Sequence, residues 1–427
     1  MPVDRREFAM LRLRRREFLG LGLGVAGLSY VSLAGATRGH GLFERAAEAS
    51  ERAERNDHAL VVIELDGGND GLNTLIPFED ALYYRNRRTL GIPRKEVIRL
   101  DDRVGFHPRM KALGELFRAG QVAVVQGVGY PQPDRSHFRS MEIWHTATTD
   151  PAPATGWLGR YLEAPSGPEP GPGPDAFPRG LALTDSLPQA LQAQRATVPV
   201  VAQLDSLGEA DETQAALLRK LSTAPGAKGP AAFLRRQADT LYRTADRLKA
   251  AVEKAPPSSA IAYPEGDLGG QLHRAAQILG ADLGVRVLFV SQDGFDTHAG
   301  QADQHGNLLE GLSQSLDAFR RDLAARKLSD RVLVLVFSEF GRRVDENASG
   351  GTDHGAASCL FLVGSSSQVK GGLAGRHPSL ETLGDGDLIY NTDFRSVYAT
   401  ILDRWLGCPA EQVLGKPYPI LDLIAGS

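Results

Sequence analysis

Cysteine is nearly absent: Cys359 and Cys408 are the only two in 427 residues, and no C-x-x-C occurs. That excludes zinc-knuckle and thioredoxin-like chemistry, and any fold resting on a disulfide framework. Each thiol reads as a small buried apolar group. Neither sign of charge dominates. A net charge of −4 gives no reason to expect nucleic acid or an anionic membrane surface as a partner. The G-x-x-x-x-G-K-[ST] phosphate loop is missing, and so is the G-x-S-x-G nucleophile elbow. No internal repeat is visible. Long apolar runs are also scarce, and the one near the N-terminus is short and glycine-rich for a stable membrane span.

What remains is the composition of a soluble globular protein, 42% hydrophobic and 23% charged. The length suits one large α/β domain or two ordinary ones. Residues 12–36, RLRRREFLGLGLGVAGLSYVSLAGA, join a basic stretch, an apolar stretch and an A-x-A ending at Ala36. Arg15-Arg16 followed by Glu17-Phe18-Leu19 looks like a twin-arginine export signal. RREF also occurs at Arg5–Phe8, so the start is open between Met1 and Met10. The formal G-x-G-x-x-G at Gly22–Gly27 follows no strand and is discarded as a dinucleotide site.

The expected organisation is a signal peptide over 1–36, a linker over 37–57 and a main domain over 58–427, with an insertion at about 164–265. The Pro/Gly-rich APSGPEPGPGPDAFPRG opens that insertion, and Pro256–Ser259 closes it. The mature chain is expected to be periplasmic or extracellular, with the twin-arginine translocase as its partner during export.

The periodicity predicts strands over 59–65, 121–129, 285–291, 331–337 and 359–364. Helices are predicted over 111–120, 270–284, 307–328 and 393–407, with amphipathic helical patterns such as 233–254 in the insertion. Continuous apolar strands alternating with helices imply an α/β fold, a mostly parallel sheet sandwiched between helices, with a helical cap.

In such sheets ligands gather beyond the C-terminal ends of the strands. The sequence puts carboxylates and imidazoles there repeatedly. Asp66 ends the first strand, in ELDGGNDG; Asp296 and His298 follow another, in DGFDTH; Glu339 and Arg342 follow a third, in SEFGRR. Asp353 and His354 precede the last strand, in GGTDHG. Imidazole with carboxylate suits zinc first, with manganese, iron or calcium open, as one or two ions. Asp66, His298 and His354 are read as ligands, and Asp293 as a turn residue before Gly294. In DRSHF, Ser136 stands where a helix begins. It reads as an ordinary N-cap or as a nucleophile beside an anion site. Arg135, Arg139 and Arg342 are candidate oxyanion clamps. Asn69, Asp70, Arg135, His137, Arg342 and Asp353 are candidates for substrate contact or for holding the ligands in place.

The ordered set ELDGGNDGLNT, PDRSHFRSMEIW, TGWLGRYLE, DGFDTHAGQ, FSEFGRRVDEN and GGTDHG, behind a twin-arginine signal, resembles the domain-of-unknown-function family numbered 1501, over roughly 57–427. That family is grouped with the alkaline phosphatase and sulfatase superfamily. The resemblance implies an alkaline-phosphatase-like fold and a metal-dependent hydrolase of a phosphate or sulfate ester, small molecule or polymer. It implies Ser136 as nucleophile, Asp66 and Glu339 on one metal, and Asp296, His298 and His354 on another. Phe340 departs from the pattern, because a histidine is expected after that acid, and the Asp296–His298 spacing is short. The alternative is therefore a non-catalytic exported binding protein that keeps the fold.

Overall fold

The computed structural model describes residues 57–151, 153–168, 177–201, 235, 243–251 and 261–425. The expected signal peptide, nearly all of the linker and much of the insertion lie outside the described residues. β1 (Ala59–Leu65) is buried along its whole length. β2 (Val122–Gly129), β3 (Gly180–Ala182), β4 (Val287–Gln292), β5 (Val332–Phe337), β6 (Ser358–Val363), β7 (Gly372–Ala374) and β8 (Thr392–Asp393) join it in one sheet. The order is β7-β2-β6-β5-β1-β4-β3, with β8 also paired to β2.

β1 runs parallel to β4 and β5, and β4 to β3. β6 is antiparallel to both of its neighbours, β2 and β5. The reversal has a plain cause. Parallel neighbours need a crossover, but β5 and β6 are joined by a loop over 338–357 with no helix in it. Reversal puts the start of β6 at the same rim as the ends of β1, β2, β4 and β5. Every polar cluster in the sequence thus arrives at one edge. β3 lies inside the expected insertion yet pairs with β4 as an edge strand of the sheet. Three residues, GLA, are too few to show a period.

Alternation along β1 builds two cores. Val61, Ile63 and Leu65 face one side, with Leu113 of α1 (Lys111–Arg118), Leu272 of α3 (Asp267–Gly280) and Leu309 and Leu316 of α4 (Gln301–Ala325). Leu60 and Val62 face the other, with Trp144 of α2 (His137–Thr146) and Tyr398 of α5 (Phe394–Thr400). Trp144 stacks on both Phe337 and Phe394. Helices therefore cover both faces, as the continuous apolar strands require. None of the described helices is long and apolar enough to cross a membrane.

The turn after β1 needs its glycines. Gly67 has φ 114° and Gly68 has φ 76°. A Cβ on Gly67 would stand 2.4 Å from the Asp296 nitrogen, and one on Gly68 would stand 2.3 Å from the Phe340 ring. Gly68→Ala should combine left-handed strain with overpacking, a loss of about 2–4 kcal/mol read by chemical denaturation. A loss under about 0.5 kcal/mol would show that Phe340 moves aside without penalty.

Candidate functional site

The site is assembled from two loops and the first turn of α2. Asp296 and His298 follow β4, Glu339 follows β5, and His354 precedes β6. His137 opens α2. Four side-chain atoms converge. His354 Nε2 lies 3.0 Å from His137 Nε2 and 2.9 Å from His298 Nε2. Asp296 Oδ1 lies 3.1 Å from His354 Nε2, 3.0 Å from His298 Nε2 and 3.5 Å from His137 Nε2. His137, Asp296 and His354 alone already form a group that could hold a metal ion.

The other nitrogen of each ring decides what this convergence means. His354 Nδ1 donates to the Arg135 carbonyl at 2.8 Å, an oxygen that can only accept. His137 Nδ1 faces Glu339 Oε1 at 2.7 Å, and His298 Nδ1 faces Asp353 Oδ1 at 3.1 Å. With acceptors at all three Nδ1 atoms, the neutral rings carry their protons there and turn bare Nε2 lone pairs toward each other and toward a carboxylate. Lone pairs at about 3 Å repel unless a proton or a cation lies among them. Donors bonded to one zinc at about 2.0–2.1 Å in a tetrahedron stand about 3.3 Å apart, close to the spacings among His137, Asp296 and His354. The donor set and its outer hydrogen bonds both fit a divalent ion.

Phe340 does not leave the site short of imidazole. His137 reaches from α2 to Glu339, the acid just before Phe340, and the Phe340 ring packs against His137 and His354 at 4.9 and 5.0 Å between centroids. Glu339 is fully buried and stands outside the convergent group. Its Oε1 also accepts from the Gly67 nitrogen at 3.1 Å, and Ser338 Oγ lies 2.8 Å from its Oε2. Bonding to Glu339, above all, raises the His137 pKa. Burial pushes the Asp296 carboxyl up, but the hydrogen bond and charge of Arg342 outweigh it, and the pKa falls to about 2. Asp353 is lowered by bonds from Asn347 and His298.

Arg342 is an anchor rather than an oxyanion clamp. Almost wholly buried, it donates to Asp296 Oδ1 at 2.6 Å, to the carbonyls of Gly68, Thr352 and Phe295 at 2.7, 2.8 and 3.0 Å, and to that of Gly67. It ties the turn after β1 to the loop after β4. The Arg135 guanidinium turns away to Asp385 and Asp387, and Arg139 pairs with Glu142.

Asp66 is not in the convergent group. Exposed at the rim, it has no side-chain hydrogen bond among the described residues. Burial of part of the carboxyl, then the charges of Glu339, Glu64 and Asp293, raise its pKa to about 6. Ser136 caps α2 without a side-chain capping bond, and its hydroxyl is exposed. Asn69 and Asp70 lie below the site. Asn69 Oδ1 accepts from Thr74 and faces His305 Nε2 at 2.9 Å. Asp70 pairs with Arg87 in full burial. His107 stacks edgewise on His305, away from the cluster, and burial lowers its pKa to about 3. Sequence reasoning passed over Ser338, beside Glu339, although a hydroxyl next to a strand-end acid is a recognisable signal.

No curated protein matches the sequence with significance. Solved structures similar to it include a sulfatase from Pseudoalteromonas sp., 10% identical, covering 90% of this chain and 75% of that one at a TM-score of 0.40. An alkaline phosphatase from the Antarctic bacterium TAB5 is 11% identical, with coverage of 74% and 94% and a TM-score of 0.31. A phosphonate monoester hydrolase from Silicibacter pomeroyi is 12% identical, with coverage of 84% and 77% and a TM-score of 0.28. The family described as "Protein of unknown function (DUF1501)" matches residues 57–416, and the chain belongs to it.

Proposed function

We propose that the protein is an exported, metal-dependent hydrolase of a phosphate or sulfate ester. The supporting observation is the convergence of three imidazole Nε2 atoms and a carboxylate oxygen, each ring oriented by an acceptor at its Nδ1. His137, His298, His354 and Asp296 would hold one divalent ion, zinc first. Three imidazoles speak against calcium, which takes oxygen ligands. Such an ion, when bound, supplies Lewis-acid polarisation of a phosphoryl or sulfuryl oxygen.

The chain's own residues do the rest. Ser136 Oγ, exposed at the amino end of α2, would form a bond to phosphorus or sulfur as the bond to the ester oxygen breaks and the hydroxyl proton passes to the departing oxygen; water would then cleave the seryl ester, releasing the acid and restoring the hydroxyl. The free N–H groups of the first turn favour the anionic group there. Asp66, with a pKa of about 6, suits proton transfer near neutral pH. Glu339 and Asp353 keep the His137 and His298 rings in place. Export by the twin-arginine translocase, to the periplasm or beyond, is part of the proposal and rests on residues 12–36.

A second reading has its own support. Four protein donors fill a tetrahedral ion, as in closed structural sites. The protein would then be a non-catalytic binding protein stabilised by an ion. Exposure argues for the first reading, since the Asp296 and His298 side chains remain 49% and 45% exposed. Assay of the zinc-loaded protein on an aryl phosphate, a phosphodiester and an aryl sulfate separates the two. Turnover of one of them is expected, with Ser136→Ala lowering kcat by about a thousandfold or more. No turnover of any favours the binding protein, and an unchanged rate in Ser136→Ala removes the nucleophile.

A further inference from the structure

The segment that leads into Ser136 has little backbone to hold it. From Pro131 to Arg135 no backbone–backbone hydrogen bond forms among the described residues. Pro131 and Pro133 have no N–H to give. Asp134 N donates to Tyr130 Oη at 3.0 Å, and Ser136 N donates to Asp134 Oδ1 at 2.8 Å, both bonds within a few residues in sequence. Every long-range hydrogen bond of the segment comes from Arg135.

The Arg135 guanidinium reaches a hairpin in which Leu383–Gly384 pairs antiparallel with Asp387–Leu388. The turn between them is Asp385-Gly386, with φ of 55° and 84°. Two left-handed residues in a row make a type I′ turn, for which Asp-Gly is a favoured sequence. The hairpin thereby presents two carboxylates side by side. Arg135 Nε and Nη2 donate to Asp387 Oδ2 at 2.8 and 2.6 Å, and Nη2 also donates to Asp385 Oδ2 at 2.9 Å. Asp387 is buried and Asp385 is exposed, so water screens the first pair far less than the second.

The same hairpin grips the loop between β5 and β6. Arg343 Nη1 donates to the Asp385 carbonyl at 3.1 Å. Val344 N donates to the Gly386 carbonyl and Ala357 N to the Leu388 carbonyl, each at 3.4 Å. The hairpin is thus a staple across the two segments that carry His137 and His354. Arg135 completes it, because its own carbonyl accepts from His354 Nδ1 at 2.8 Å. That bond fixes the tautomer and turns Nε2 into the cluster.

We propose that Asp387 is a positioning residue of the metal centre, acting through Arg135 to hold the carbonyl that orients His354, a role that rests on the metal reading of the cluster and not on hydrolysis. Arg135 is gripped at its guanidinium by the hairpin and holds a ligand with its carbonyl, and the next residue is Ser136.

The test compares the native chain with Asp387→Leu, Arg135→Met and the double variant. Zinc affinity is read by competition against a chelator, stability by denaturant, and the His354 tautomer by imidazole nitrogen shifts of the metal-free protein at about pH 8. Each single variant should weaken zinc at least about fivefold. Arg135→Met should also lose stability, because it leaves a buried carboxylate without its partner. The double variant should recover that stability, yet bind zinc within about twofold of the single variants, since both changes cut one tether. Zinc affinity that returns together with stability would reveal a merely structural pair and overturn the proposal. So would a loss below about fivefold in the single variants. Native His354 should carry its proton on Nδ1, and the variants should show a mixture of tautomers; an unchanged Nδ1 proton would also overturn it. A native chain that takes up no zinc, while the tautomer shifts as expected, fails the metal reading alone.

Discussion

His354→Ala is expected to abolish high-affinity metal binding and, with it, any ester hydrolysis. His354 is the hinge of the cluster, since its Nε2 meets His137, His298 and Asp296 at 2.9–3.1 Å. Loss of an outer hydrogen-bond partner of a ligand typically weakens metal binding 10–100-fold. Loss of a ligand should exceed that, so competition against a chelator should show a drop of more than about 100-fold. A shift under about threefold would mean that His354 does not ligate.

Proton competition gives the same account a pH signature. The rings must be neutral to bind metal, and bonding to Glu339 raises the His137 pKa above its usual 6.5. Protons therefore begin to displace metal above pH 6.5 as pH falls, and the affinity drops steeply below it. Without metal the linkage has the opposite sense. The raised His137 pKa adds stability below about pH 6.5, which is lost as pH rises through its folded value. Asp296 behaves conversely. Its contribution is present above about pH 4 and lost as pH falls toward about 2.

Arg87→Ala should produce the largest loss of stability. Arg87 and Asp70 form an ion pair with both side chains fully buried, and Nη1 and Oδ2 are 2.5 Å apart. Arg87 also donates to the carbonyls of Val344 and Arg343 at 2.7 Å each, which ties down the chain just after Arg342. Burial pushes the Asp70 carboxyl up, and the charge and hydrogen bond of Arg87 outweigh it, so the pKa lies below the usual 3.8. Removal of the arginine leaves the buried carboxylate with a hydrogen bond from Gln301 but no counter-charge, which costs about 3–5 kcal/mol. The direction of the pH dependence should also reverse. In the native chain Asp70 stabilises above about pH 4. In the variant its folded pKa rises above the unfolded one, so stability falls as pH increases from about 4 to 7. Denaturant titrations at pH 5 and pH 7 check both magnitude and sign. The double variant Arg87→Met/Asp70→Leu should recover part of the loss, because an apolar pair avoids desolvation.

Particular elements show what the sequence could and could not reveal. β1 is legible because six of its seven residues are apolar, with Glu64 alone interrupting the run, and the strand stops at the Asp66 carboxylate. The reversal of β6 is not, since periodicity reports burial and not strand direction. Asp296, His298 and His354 stand out because each follows or precedes an apolar run, and the fold brings those ends together. His137 shows less clearly. Its partner Glu339 is 202 residues away in sequence, and pairing at that distance has no local signal. By its place in the motif, Phe340 stands where the family resemblance expects a histidine. The structure makes it a packing ring between two histidines, with the imidazole arriving from α2.

Metal content of the folded, purified protein tests the central claim most directly. Elemental analysis should find about one equivalent of a single transition metal, zinc first, as the proposed site centred on His137, Asp296 and His354 would hold. The same preparation of His354→Ala should fall to background. Less than about 0.2 equivalents of any transition metal in the native chain, after reconstitution with zinc, would contradict the account.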